Sequence, residues 1–140
     1  MKIEEIEKEI IEDFELFGAD WEGKYEHIID LAKSLPVIDV RYKTDDKLIR
    51  GCQSKVWLHS ELKEGKVIYS ADSDAIITKG LVALIVKVLS DHSPDEIVNA
   101  KLEFIDKIGL KEHLSPTRAN GLISMIKQMK LDALALKSKV

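Results

Sequence analysis

Cysteine is almost missing from this 140-residue chain, where Cys52 is the only one. One thiol cannot close an intrachain disulfide, so the fold rests on its hydrophobic core and a reducing, cytoplasmic setting is expected. Long apolar runs are missing too. The densest stretch, Leu81 to Leu89, is interrupted by Lys87 and is too short to cross a bilayer. The first residues carry Glu4, Glu5, Glu7 and Glu9 where an export signal needs a basic start and an apolar stretch, so none is expected. The seven glycines are dispersed, which excludes a Gly-rich phosphate loop. The four histidines, His27, His59, His92 and His113, form no metal-ligand pair with Cys52 or with one another at helical spacing. No metal or organic cofactor is expected.

What is present describes one soluble domain over residues 1–140. An apolar fraction of 45% with 33% charged residues suffices for a real core at this length. The net charge of −4 hides an asymmetry: residues 1–30 balance to −8 and residues 111–140 to +4. The basic end reads first as the solvated side of a helix, and nucleic acid is not an expected partner.

Ile3, Ile6, Ile10, Phe14 and Phe17 recur at spacings of three and four, one stripe of an amphipathic helix ended by Gly18. Asp20 caps a second helix through Trp21, Tyr25, Ile28, Ala32 and Leu35, which Pro36 ends. Lys47 to Arg50 reads as a short strand. Lys55 to Lys63 alternates, with Val56, Leu58, Ser60 and Leu62 on one face, and Glu64-Gly65 turns it back into Lys66 to Ala71. The expected sheet is small, antiparallel and three-stranded. Asp72-Ser73-Asp74 is the expected N-cap of a helix over about 75–90 that is apolar on nearly every side and therefore central. Gly80 within it costs about 1 kcal/mol relative to Ala unless close packing needs it. Ser93-Pro94-Asp95-Glu96 is a capping box, and Ser115-Pro116 opens the last helix. Helices, then a meander, then helices make an α+β fold of two layers.

The reactive candidates are few. Cys52 follows Gly51 and precedes Gln53 and Ser54, a loop-like setting that offers a thiol to a partner. Local sequence leaves a functional and an inert cysteine both open. His113 precedes the last helix, and a thiol–imidazole pair with Cys52 would make a cysteine-dependent hydrolase or peroxidase, the alternative function. Asp72 and Asp74 read as capping groups. Arg118 sits in a first helical turn, against the dipole's preference, which points to another task such as pairing a carboxylate.

The run Gly51-Cys52-Gln53-Ser54-Lys55-Val56-Trp57 resembles the signature of the SufE proteins, sulfur acceptors of iron–sulfur cluster biogenesis. Trp21-Glu22-Gly23-Lys24-Tyr25, Leu35-Pro36, Asp72-Ser73-Asp74-Ala75, Lys79-Gly80-Leu81 and His113-Leu114-Ser115-Pro116-Thr117-Arg118 agree in order and spacing. Lys55 stands where many relatives have glutamine. The resemblance implies a two-layer α+β fold like that of the iron–sulfur scaffold proteins. It implies that Cys52 takes persulfide sulfur from a PLP-dependent cysteine desulfurase, stimulates that enzyme and passes the sulfur to a cluster-assembly complex. On this reading the chain is an accessory protein, with Gly51, Gln53, Ser54, Asp74, His113 and Arg118 supporting the cysteine or docking the partner. Related desulfurase-enhancing paralogues share the motif. A second copy of the chain is a further candidate partner. A lone cysteine speaks against a scaffold, because a cluster needs several ligands. The loop is expected to fold toward apolar residues such as Val56 and Leu58 when free and to swing out on docking.

Overall fold

The computed structural model describes residues 1–139. Helix α1 (Ile3–Glu15) buries Ile3, Ile10 and Phe14 and keeps its acidic residues outward, as the spacing predicts. Gly18, at φ 58°, turns the chain. The Asp20 carboxylate accepts from the Gly23 N–H at 3.1 Å and opens α2 (Trp21–Leu31). A 3₁₀ turn at Ala32–Ser34 leads to Leu35, whose ψ of 125° is the extended setting a following proline imposes.

Helix α3 (Ile76–Leu89) is the centre of the molecule, with ten residues buried. Gly80 explains how α2 lies on it: a Cβ there would stand 2.1 Å from the Ile28 carbonyl oxygen, so the two backbones touch where only glycine fits. Three short helices follow, α4 (Pro94–Asn99), α5 (Phe104–Lys107) and α6 (Leu110–His113). The capping box on α4 forms as expected, with Ser93 Oγ accepting from the Glu96 N–H. Ser115 caps α7 (Pro116–Lys137) by accepting from the Arg118 N–H at 3.3 Å.

Strands β1 (Val56–Lys63) and β2 (Lys66–Ser73) pair antiparallel from Val56↔Ser73 to Lys63↔Lys66. Glu64 and Gly65 close the hairpin at φ 53° and 78°, the backbone that a two-residue turn of this hand requires. Val56, Leu58, Val67, Tyr69 and Ala71 are buried on the inner face, against α3 and α7. The Tyr69 hydroxyl, fully buried, donates to the Met129 carbonyl at 2.6 Å, so the ring is held to α7 by a bond as well as by packing. The outer face is covered by the 37–50 segment: Tyr42 stacks on His59 at 3.8 Å, and the Lys43 ammonium lies 4.5 Å from the Trp57 ring. Sheet and helices make the expected two-layer α+β arrangement.

Two expectations fail. The described residues hold a sheet of two strands, not three. Lys47 to Arg50 makes one bridge, Leu48 to Trp57, with the Ile49 N–H donating to the Val56 carbonyl at 2.8 Å. The 3₁₀ turn at Asp45–Lys47 and the left-handed Gly51 leave too few extended residues between them for a ladder. On the other edge, Val37 bridges Ala71 in parallel. The second failure is the cap of α3. Ala75 holds the N-cap position without a side-chain bond, because β2 runs on through Ser73 and uses Asp72 as a strand residue. The Asp72 carboxylate instead takes Lys43 at 3.0 Å and Lys79 at 3.3 Å. Burial pushes its pKa up, but the two ammonium groups and the Ser73 N–H outweigh this and leave it below the usual carboxylate value.

Candidate functional site

The neck of the Cys52 loop is held at two levels. The Ile49–Val56 hydrogen bond closes one side. On the other, the Lys55 N–H donates to the Asp74 carboxylate at 3.0 Å, and the Asp74 N–H donates back to the Lys55 carbonyl at 3.2 Å. Asp74 thus clamps the loop base, a support role reached through backbone pairing. Gly51 makes the bend at φ 93°, and a Cβ there would lie 2.5 Å from Ser124 Oγ on α7. The torsion calls for glycine, and a Cβ would also require Ser124 Oγ to turn aside.

The bend turns Cys52 inward. Its side chain is half-buried, and Sγ lies 3.6 Å from the Gly121 carbonyl oxygen, to which the thiol donates. A cavity of about 60 Å³ opens beside the sulfur, lined by Cys52, Gln53, Ser54, Thr78, Leu81, Thr117, Arg118, Gly121 and Met125. The apolar wall is therefore built from α3 and α7. Val56 and Leu58, the expected neighbours, belong to the core under the sheet. Burial pushes the Cys52 thiol up, and a carbonyl partner acts the same way, because it accepts from S–H and offers nothing to a thiolate. Two features pull the other way once an anion forms. Thr78 lies in the first turn of α3 and Thr117 and Arg118 in the first turn of α7, so two helix N-termini and a guanidinium meet at the cavity.

The sequence candidates divide. Gln53, Ser54 and Arg118 share the cavity with Cys52, and Gly51 and Asp74 shape its loop. Arg118 makes no ion pair among the described residues, so its expected carboxylate partner is not there. His113 stands elsewhere: its ring stacks on Trp21 at 3.8 Å with planes 12° apart, and Nδ1 lies 3.1 Å from the Gly109 carbonyl. The Tyr25 hydroxyl donates to the His113 carbonyl. That ring therefore ties the start of α2 to α6, and no imidazole lines the cavity among the described residues. Thr78, Leu81, Gly121 and Met125 escape sequence reasoning as cavity residues because none carries reactive chemistry and only the packing of α3 and α7 brings them to Cys52. Thr78 alone leaves a trace, as the one hydroxyl in a helix whose other polar side chains are Lys79 and Lys87. Nor do the described residues hold a His/Cys/Asp/Glu group able to bind a metal ion, and no helix is long and apolar enough to cross a membrane.

Comparison with known proteins bears on this geometry. Residues 8–133 match the SufE family model, described as the Fe-S metabolism associated domain. The chain is 40% identical to SufE-like protein 1, chloroplastic/mitochondrial, of Arabidopsis thaliana, over 98% of its own length and 38% of that relative's. It is 39% identical to an uncharacterized SufE-like protein of Rhizobium meliloti, covering 89% of this chain and 92% of the other. A Synechocystis SufE-like protein is 37% identical over 84% and 74%. The solution structure of a hypothetical protein from Thermus thermophilus superposes with a TM-score of 0.79 at 19% identity, covering 96% of this chain and 97% of that one, which establishes a shared fold. With the family model matched over residues 8–133 and relatives of 39% and 37% identity covered over 92% and 74% of their own length, the chain belongs to the SufE family of Fe-S metabolism.

Proposed function

We propose that Cys52 is a sulfur carrier: it accepts the outer sulfur of a persulfide on a PLP-dependent cysteine desulfurase, stimulates that enzyme, and relays the sulfur to iron–sulfur cluster assembly. The observation that carries this is the pairing of a lone, half-buried thiol with an adjoining cavity of about 60 Å³. About 10–15 Å³ of such space holds one water, and a sulfur atom is of similar bulk, so one added sulfur fits beside Sγ.

The transfer is a displacement like thiol–disulfide exchange. Cys52 loses its proton to solvent or to the partner, and its thiolate attacks the outer sulfur of the donor persulfide. A new S–S bond forms at Cys52, the donor's S–S bond breaks, and the electron pair leaves with the donor's thiolate. No external oxidant enters. Docking supplies the activation: the loop leaves the Gly121 carbonyl, and the thiol loses the acceptor that favours its neutral form. The chain acts here as an accessory protein whose catalysis is completed by its partners.

Intact mass tests this. After incubation with a cysteine desulfurase and free cysteine, the chain should gain one or more sulfur atoms, lost on reduction and absent in Cys52→Ser. No gain would overturn the proposal. A hydrolase or peroxidase would need a base at the thiol, and the engagement of His113 with Trp21 and Gly109 favours the carrier.

A further inference from the structure

We infer that Thr78 is a positioning residue for the loaded sulfur: its hydroxyl donates to the outer sulfur of the Cys52 persulfide and holds it as the anion inside the cavity. This rests on the carrier reading above. Thr78 is 7% exposed and lines the same cavity as Cys52. Its hydroxyl makes no side-chain hydrogen bond among the described residues, yet it is not among the polar atoms sealed from solvent. The hydroxyl is thus left to water, and Thr78 lines the cavity beside Cys52.

The need for a donor arises only on loading. The resting thiol is satisfied by the Gly121 carbonyl, which can only accept. Loading replaces the S–H with an S–S bond, so Sγ no longer donates, and the outer sulfur carries either a proton or a charge. An anion in a half-buried cavity needs donors. Thr78 supplies an O–H from α3, and Arg118 supplies charge from α7. Arg118 is the one charged residue of the lining. The remaining charged groups nearby are engaged in part: the Asp74 carboxylate takes the Lys55 N–H, and Lys79 pairs with Asp72. Arg50 and Lys55, exposed on the loop itself, lie outside the lining. No covalent step is added to the relay; the hydroxyl sets how readily the bound persulfide ionises.

The test loads Cys52 chemically with inorganic polysulfide, so that it does not depend on a desulfurase, and measures alkylation of the outer sulfur against pH by mass spectrometry. Wild type, Thr78→Val and Thr78→Ser are compared, with thermal unfolding of the unloaded proteins as a control on the fold. Loss of one hydrogen bond to an anion should raise the midpoint of the profile by about one pH unit in Thr78→Val, a tenfold change in ionisation. Thr78→Ser should restore the wild-type midpoint. An unchanged midpoint in folded Thr78→Val overturns the inference, as does a shift that serine fails to reverse. Failure of the carrier reading shows separately, as absence of loading by the desulfurase while the chemically loaded proteins still differ.

Discussion

Strand β1 is bounded by two glycine bends that obey the same local rule and do different things. Gly51 and Gly65 both take positive φ, 93° and 78°. Around Gly65 an added Cβ would meet nothing within 4 Å, whereas at Gly51 it would stand 2.5 Å from Ser124 Oγ. The hairpin turn is an open end. The cysteine bend is pressed against α7, and that pressure makes a thiol half-buried and gives it a cavity. A left-handed glycine is a local demand; a site appears where the demand coincides with a tertiary contact.

Moving the thiol from one bend to the other breaks the comparison most sharply. Cys52→Ser combined with Lys63→Cys places a thiol beside the open turn. It should not be loaded by the desulfurase, and iodoacetamide should alkylate it faster at neutral pH than it alkylates Cys52. Equal rates in the two folded proteins would show that the cavity does not quiet the native thiol. Next in size, Gly65→Ala should cost only the left-handed backbone, about 1–2 kcal/mol, while Gly51→Ala adds overpacking and should cost about 3 kcal/mol. Urea unfolding of both variants measures the gap. Ser124→Ala in the Gly51→Ala background should return about 1 kcal/mol, since the hydroxyl that obstructs the Cβ is gone; no recovery would place the strain elsewhere in the bend.

The smallest effect concerns pH. Burial raises the Cys52 pKa in the folded chain, so folding favours the neutral thiol. That contribution is complete below the thiol's unfolded pKa and is lost as pH rises through the folded one. Wild type should therefore lose stability relative to Cys52→Ser as the medium becomes alkaline, seen in urea midpoints taken across that range. A difference that does not change with pH would contradict the burial.

Much of the frame is legible because it is written in short-range chemistry. Ser93-Pro94 and Ser115-Pro116 set helix starts where expected, and Glu64-Gly65 sets the hairpin register; α2 stops at Leu31, four residues short of the expected end, and a 3₁₀ turn carries the chain on to Pro36. The third strand fails for a reason in the same range: an Asp-rich 3₁₀ turn and a left-handed glycine crowd Lys47 to Arg50 from both sides. Asp72 and Asp74 read as caps, yet pairing between β1 and β2 continues through Ser73 and takes Asp72 into the strand, and strand continuation depends on the partner strand. The cavity is the least legible. Thr78 and Met125 reach Cys52 only because α3 and α7 pack on the same sheet face, a fact that no local pattern carries.

The Gly121 carbonyl has one last consequence. Peroxide and other oxidants consume thiolates, not thiols. Burial, with the Gly121 carbonyl as acceptor, keeps the proton on Cys52, so on the carrier reading the idle protein is shielded from being spent among oxidants until a partner docks.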